Sequence, residues 1–258
     1  MLFAASLSHM ASTLHRSSPL SAKAFFLFSL SQFHVPFYAG RFLPNFLALP
    51  PVIFAFSLIL RALERKPVAK PSKVGSQTTL IPTGHSTRVL SFTIGLLTFT
   101  ATVVRLELAP IAVTVAAMLY LQSRLSLAES ATAGAVGGMA GLGKFSSDAE
   151  MLRQRLTVAL TAVIDSYFYY PTSHTVAWWP ELSAFIFNIP QGKAADWGVM
   201  PWYQYLVDLP RLLMASLPLA MVYPALHRDK AARAQMAIIG LPCIAIVAAL
   251  SCVGHKVS

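Results

Sequence analysis

Three cationic side chains and a histidine at the ends of apolar segments could bind an anionic group such as a phosphate. They are Arg41, Arg211, His255 and Lys256. Arg41 lies three residues before Pro44, which favours the first turn of a helix, and the positive end of a helix strengthens anion binding. An arginine at such a position at least as often marks membrane topology or reaches toward lipid headgroups. These residues therefore allow a phosphate site without requiring one.

A second candidate site is the segment 165–209, which contains all four tryptophans of the chain. Its aromatic candidates are Trp179, Trp197, Trp202 and Tyr205. Such rings could stack on sugar rings or on a polyprenyl tail, whereas an aromatic belt at the membrane interface explains the tryptophans equally well. Glu181 could bind sugar hydroxyls or be a solvated loop charge. Composition leaves these alternatives open.

Other charged residues fit structural roles better. Arg105 and Glu107 lie two residues apart at the end of an apolar run, which favours an ion pair. Asp165 closes another apolar run, where an unpaired charge is costly, so we expect it to cap the next element and support the loop. Cys243 and Cys252 are too far apart to bridge within a helix and do not form a CxxC metal site. No metal or cofactor is predicted.

The elements that position these residues are predicted to be membrane helices. Hydrophobic residues make up 55% of the 258 residues and charged residues only 12%, with a mean hydropathy of +0.60. A soluble domain has roughly 25% charged residues, so a soluble globular protein is excluded. The net charge of +10 comes from basic residues that punctuate apolar runs, a pattern that indicates membrane lipids and not nucleic acid as the partner.

The apolar runs predict about seven membrane crossings. Each is expected to be helical, because lipid cannot satisfy the hydrogen bonds of an open backbone. They cover roughly residues 20–39, 43–60, 88–104, 107–122, 153–168, 211–226 and 235–253. The Gly-rich stretch 131–143 is too short to span the membrane alone. It is not a nucleotide-binding loop of the Rossmann type, because such a loop follows a strand and none precedes it here. Tight helix packing is its favoured role, with a re-entrant piece, an interfacial piece or half of a hairpin as alternatives.

The loops predict the orientation of the chain. Basic residues cluster in the segments 61–73 and 228–233, which indicates the cytoplasmic side. The segments around Arg41 and Arg105 then fall on the luminal side, together with the loop 165–209. That loop contains one basic residue, Lys193, which fits the luminal side. We expect the loop 165–209 to be re-entrant.

Several segments resemble one family of transferases. SQFHVPFYAGRFLPNFLAL (31–49) resembles the Arg-x-Leu-Pro-Asn segment of endoplasmic-reticulum mannosyltransferases with the C-type glycosyltransferase fold, which use dolichyl-phosphate-mannose. VVRLELAPIA (103–112) resembles their Arg-x-Glu-Leu segment, and LTVALTAVIDSYFYY (156–170) their Asp-Ser-Tyr-Phe motif. Further matches, in the family's order, are Trp179-Pro180-Glu181, Phe187-Asn188, Asp196-Trp197-Gly198, Pro201-Trp202-Tyr203 and Leu209-Pro210-Arg211.

The resemblance implies a fold and a location. We expect an all-α polytopic bundle of about seven spans with a luminal re-entrant loop, a partial C-type glycosyltransferase fold. It implies a multi-pass protein of the endoplasmic reticulum membrane whose active face is luminal. Residues 20–256 form the incomplete mannosyltransferase-like domain, whereas segments 1–19 and 257–258 match nothing in the family.

The resemblance also implies a reaction. Trp-Gly at 197–198 and Trp-Pro-Glu at 179–181 favour α-1,6 transfer of mannose from dolichyl-phosphate-mannose to the seven-mannose dolichol-linked oligosaccharide. The alternatives are an α-1,2 or glycosylphosphatidylinositol-anchor relative, a non-catalytic membrane fragment, or a transporter-like protein. The acidic residue that serves the family as base belongs to a first luminal loop that precedes the matching region, so this chain is expected to be inactive alone.

The family's motifs give the candidates their expected roles. Arg41, Arg211, His255 and Lys256 are expected to bind the donor phosphate. The acceptor groove is expected to be formed by Trp179, Glu181, Trp197, Trp202 and Tyr205. Supporting roles are expected for Arg105, Glu107, Asp165 and Asn188.

Overall fold

The computed structural model describes residues 2–32, 34–39, 44–64, 84–142, 186, 201–213 and 230–252. The helices are α1 (Leu2–Ser17), α2 (Pro19–Ser31), α3 (His34–Ala39), α4 (Pro44–Glu64), α5 (Gly84–Val103), α6 (Ala109–Leu121), α7 (Leu127–Gly141), α8 (Gln204–Leu213) and α9 (Lys230–Ser251), with a 3-10 turn at Leu106–Leu108. No strand occurs within these ranges. The all-α class predicted from the sequence is confirmed for this part of the chain.

Within the described part of the chain, two helical stretches, Phe46–Glu64 and His85–Val103, are long and apolar enough to cross a membrane. Leu106–Leu121 and Met236–Ser251 are apolar but shorter. The crossing predicted at 20–39 is divided between α2 and α3. Two further predicted crossings lie wholly or mostly outside the described residues, so the number of seven spans stays a prediction.

Local sequence explains where several helices begin. The Ser18 hydroxyl accepts a hydrogen bond from the Ser21 backbone N–H, and Pro19 occupies the first turn of α2. At the start of α7, Ser126 and Glu129 form a capping box in which each side chain bonds the other's backbone N–H. Such caps satisfy backbone donors that have no partner within the helix.

Polar contacts attach α1 to α4, and the two helices run parallel. The Phe3 and Phe46 rings pack near one end, with centroids 5.9 Å apart. Farther along, the Arg61 guanidinium lies 2.9 Å from His9 Nε2, and His9 Nδ1 lies 2.6 Å from the Ser57 hydroxyl. Because arginine can only donate, Nε2 of His9 must accept and Nδ1 carries the proton. The N-terminal helix is thus packed on the bundle.

Helix α5 runs back along α4 and packs against α7. The Ser86 hydroxyl donates to the Ala62 carbonyl over 3.3 Å, which places the start of α5 beside the end of α4. A Cβ atom added to Gly137 of α7 would lie 2.1 Å from the Gly95 carbonyl oxygen of α5. The two backbones are therefore in contact, and the part of the Gly-rich stretch that lies in α7 contributes a helix-packing surface.

Side chains from α4, α5, α6 and α9 form a common core. Those with no exposed surface include Ile59, Leu90, Val115, Leu119 and Ile238. Since these residues come from four helices, the core fixes the position of the turn between α5 and α6. That turn carries two of the candidate site residues.

Candidate functional site

Arg105 and Glu107 form an ion pair where the chain leaves α5. Arg105 Nε lies 3.4 Å from a carboxylate oxygen of Glu107. The 3-10 turn Leu106–Leu108 follows an extended Arg105, and Pro110 lies in the first turn of α6, so a short turn brings the two charges together. Both side chains are partly exposed, and such a pair contributes about 1 kcal/mol or less to stability.

Tyr205, in the first turn of α8, is within electrostatic range of Glu107, although about a hundred residues separate the two in the sequence. Burial raises the pKa of the Tyr205 hydroxyl, and the negative charges of Glu107 and Asp208 raise this pKa further. The hydroxyl therefore stays protonated at physiological pH and can donate a hydrogen bond.

Asp208 lies at the centre of a cluster of polar side chains on α8. It was not among the candidates from the sequence. Gln204 Nε2 donates to one carboxylate oxygen of Asp208 over 3.0 Å, and the Arg211 guanidinium lies 3.8 Å from the other. These residues are spaced by four and three positions, which places them on one side of a helix. That spacing is the signal that could have identified Asp208. The Arg211 side chain is 76% exposed, so its cation faces outward.

Trp202 differs from Tyr205 in its surroundings. Its side chain is 69% exposed, whereas Tyr205 is partly buried. The Trp202 ring packs edge-on against Tyr203, with centroids 5.9 Å apart. The structure therefore does not bring the two predicted acceptor-groove aromatics onto one partly buried surface.

The remaining predicted site residues lie outside the described part of the chain. They are Arg41, Asp165, Trp179, Glu181, Asn188, Trp197, His255 and Lys256. Four of the thirteen candidates interact directly or through Asp208. Arg105 pairs with Glu107, and Arg211 pairs with Asp208. The charges of Glu107 and Asp208 both act on Tyr205.

A separate groove of about 480 Å³ lies between α5 and α7. Phe92 and Phe99 of α5 and Val136 of α7 line its apolar walls, and Glu129 lies among the few polar residues. Among the candidates that the structure describes, none lines this groove.

The sequence profile of the Alg9-like mannosyltransferase family matches residues 2–256. The chain belongs to the Alg9-like mannosyltransferase family. The match starts farther toward the N-terminus than the motifs do and includes α1. Membership agrees with the resemblance read from the motifs, and it identifies the family as one of glycosyltransferases.

Curated relatives agree with this membership. The chain is 31% identical over 242 residues to a Schizosaccharomyces pombe protein named "Probable Dol-P-Man:Man(7)GlcNAc(2)-PP-Dol alpha-1,6-mannosyltransferase", covering 93% of this chain and 35% of that protein. It is 27% identical to the Saccharomyces cerevisiae protein of that function, over 90% of this chain and 33% of that protein. The chain thus spans about a third of the length of these relatives. No solved structure matches it.

Proposed function

We propose that this chain is part of an α-1,6-mannosyltransferase that transfers mannose from dolichyl-phosphate-mannose to the seven-mannose dolichol-linked oligosaccharide during assembly of the N-glycan precursor. The observation that carries the proposal is the name shared by the relatives from two yeasts and Drosophila melanogaster. The reaction is proposed for the complete protein, because the chain spans about a third of the yeast relatives.

In the proposed reaction, an acceptor hydroxyl oxygen attacks the anomeric carbon of mannose from the side opposite the phosphate. The bond to the phosphate oxygen breaks, and dolichyl phosphate leaves with the bonding electrons, so the configuration inverts. A carboxylate takes the proton of the hydroxyl, and cationic side chains stabilise the charge on the leaving phosphate. By resemblance, the carboxylate belongs to the family's first luminal loop.

Arg211 is proposed to bind the donor phosphate. Its guanidinium is largely exposed, and its contact with Asp208 is long, at 3.8 Å, so a phosphate can approach without removing a tightly held partner. A guanidinium can bond two phosphate oxygens at once. The other donor-phosphate candidates are Arg41, His255 and Lys256.

Tyr205 is proposed to contact the acceptor. Its ring offers a face for stacking, and its neutral hydroxyl can donate to a sugar oxygen. The other acceptor candidates from the loop are Trp179, Glu181 and Trp197. Arg105 and Glu107 are proposed to hold Tyr205 in place, whereas Asp165 and Asn188 are proposed to support the loop.

We further propose a multi-pass topology in the endoplasmic reticulum membrane, with the loop 165–209 in the lumen. A sequon for N-glycosylation engineered near Ser173 should be glycosylated in microsomes, because the glycosylation machinery acts in the lumen. A sequon near Ser72 is the matched control and should stay unmodified, because basic residues hold that loop in the cytoplasm. The reverse pattern, read as a gel shift sensitive to endoglycosidase, would invert the orientation.

A chimera tests the reaction. Residues 2–256 of this chain replace the matching third of the fission-yeast relative, and the yeast chimera is expressed in a strain that lacks the α-1,6 enzyme. We expect conversion of the seven-mannose lipid-linked species to the eight-mannose species, measured by chromatography of released oligosaccharides. A chimera that inserts into the membrane at normal levels and still leaves the seven-mannose species unchanged would contradict the proposal.

A further inference from the structure

An exposed apolar surface begins just before α8 and continues along its first half. Its members are Trp202, Tyr203, Leu206 and Val207, which are 69, 47, 58 and 40% exposed. Leu206 and Val207 lie on α8, and Trp202 and Tyr203 lie in the turn just before it, so all four are exposed at the same end of the helix. We refer to these four residues as the α8 apolar face.

The polar contacts of α8 come from other positions. Asp208 accepts a hydrogen bond from Gln204 and pairs with Arg211. At the end of the helix, the Leu213 carbonyl accepts a hydrogen bond from Gln32 of α2 over 3.5 Å. The helix is therefore amphipathic, and its contact with α2 through Leu213 leaves the α8 apolar face open.

The position of α8 along the bundle indicates what covers this face. The Leu213 carbonyl of α8 accepts a hydrogen bond from Gln32 at the C-terminal end of α2. Tyr205 is within electrostatic range of Glu107, in the turn after α5, which is long and apolar enough to cross a membrane. The chain also enters a predicted crossing at residue 211. The predicted crossings thus place helix α8 at the level where the chain leaves and re-enters the bilayer, the depth at which tryptophan and tyrosine are enriched.

We propose that the α8 apolar face inserts into the boundary between headgroups and acyl chains of the bilayer at this end of the bundle. An amphipathic helix with aromatic residues on its apolar face lies in the plane of that boundary. The phospholipid contact anchors α8 and holds Tyr205 at the membrane surface. Trp202 contacts lipid, in place of the acceptor-groove role expected for it from the sequence.

Site-specific fluorescence quenching tests this proposal. The native cysteines, Cys243 and Cys252, are exposed and are first changed to serine. Leu206→Cys, Trp202→Cys and the control Arg211→Cys are then labelled singly with the fluorophore NBD and reconstituted into phosphatidylcholine vesicles. Lipids with a nitroxide near the headgroup end of the acyl chain should remove most of the emission at positions 206 and 202 and little at 211. Aqueous iodide should show the reverse.

Three results would overturn the proposal. Equal iodide quenching at positions 206 and 211 would place the face in water. Protection of position 206 from both quenchers would mean that protein covers it, either another part of the chain or a second copy. Loss of nitroxide quenching on adding the seven-mannose lipid acceptor would identify the substrate as the occupant. Position 202 lies on the same face as position 206, so the label at 202 still tests the proposal if the Leu206→Cys variant folds poorly.

Discussion

Replacing Gly137 by alanine is expected to lower the free energy of unfolding by about 1–3 kcal/mol, the usual effect of adding a methyl group to a tightly packed contact. The added Cβ would lie 2.1 Å from the Gly95 carbonyl oxygen and 2.7 Å from the Gly95 carbonyl carbon and Cα. All three atoms belong to the backbone, so no side chain can turn away to make room. Helices α5 and α7 must separate, and the close packing that small residues allow in a membrane is lost.

Gly134→Ala is the matched control on the same helix. Among the described residues, its Cβ would meet only the Thr98 hydroxyl, at 3.7 Å, which is an ordinary contact. Because alanine favours helix by about 1 kcal/mol relative to glycine, this variant should unfold at the same temperature as the parent or a higher one. The measurement is the Tm of the purified protein in detergent, followed by circular dichroism. Equal Tm values for the two variants would contradict the α5–α7 contact.

The sequence was sufficient to predict α4 and α5 because each is a long apolar run with few interruptions. The predicted crossings at 43–60 and 88–104 overlap the helices observed at Pro44–Glu64 and Gly84–Val103. The crossing predicted at 20–39 was less accurate, because the helix is interrupted between the end of α2 and the start of α3. Pro36 explains part of the interruption, because it has no N–H to bond the carbonyl four residues earlier.

Contacts between distant segments could not be predicted in the same way. The hydrophobic pattern shows that a helix is apolar, but it does not show which helix packs against it, so the pairing of Gly137 with Gly95 was not available from the sequence. The proximity of Tyr205 to Glu107 likewise depends on the tertiary fold. Asp208 was accessible in principle, because its partners are local.

The same distinction applies to the two aromatic residues of the motif around α8. In the sequence, Trp202 and Tyr205 are equivalent candidates for stacking on sugar rings. The structure separates them by burial, since Trp202 is 69% exposed and Tyr205 is partly buried close to charged neighbours. A residue that recognises a sugar must be held in a fixed position, which favours Tyr205.

Truncating Tyr205 to alanine in the yeast chimera is therefore expected to raise the apparent KM for the seven-mannose acceptor. A nucleic-acid base stacked on an aromatic side chain is worth about 1–3 kcal/mol. A sugar ring held in the same way gives an expected loss of roughly fivefold to 150-fold. The acceptor carries few charges that could compensate, so the loss should fall on the acceptor. The KM for dolichyl-phosphate-mannose should change much less, because the donor is bound chiefly through its phosphate.

Two further variants separate the contributions of the ring and the hydroxyl. Tyr205→Phe keeps the ring and should retain most of the acceptor affinity if stacking dominates, whereas a loss as large as that of Tyr205→Ala would assign the effect to the hydroxyl. Tyr203→Ala removes one of the four side chains of the α8 apolar face. The other three still anchor the helix, so the acceptor KM should stay near that of the parent. If Tyr205→Ala raises only the donor KM, the groove has been assigned to the wrong substrate. If Tyr205→Ala instead lowers the amount of protein inserted in the membrane, Tyr205 contributes to folding through its partial burial and not to acceptor binding.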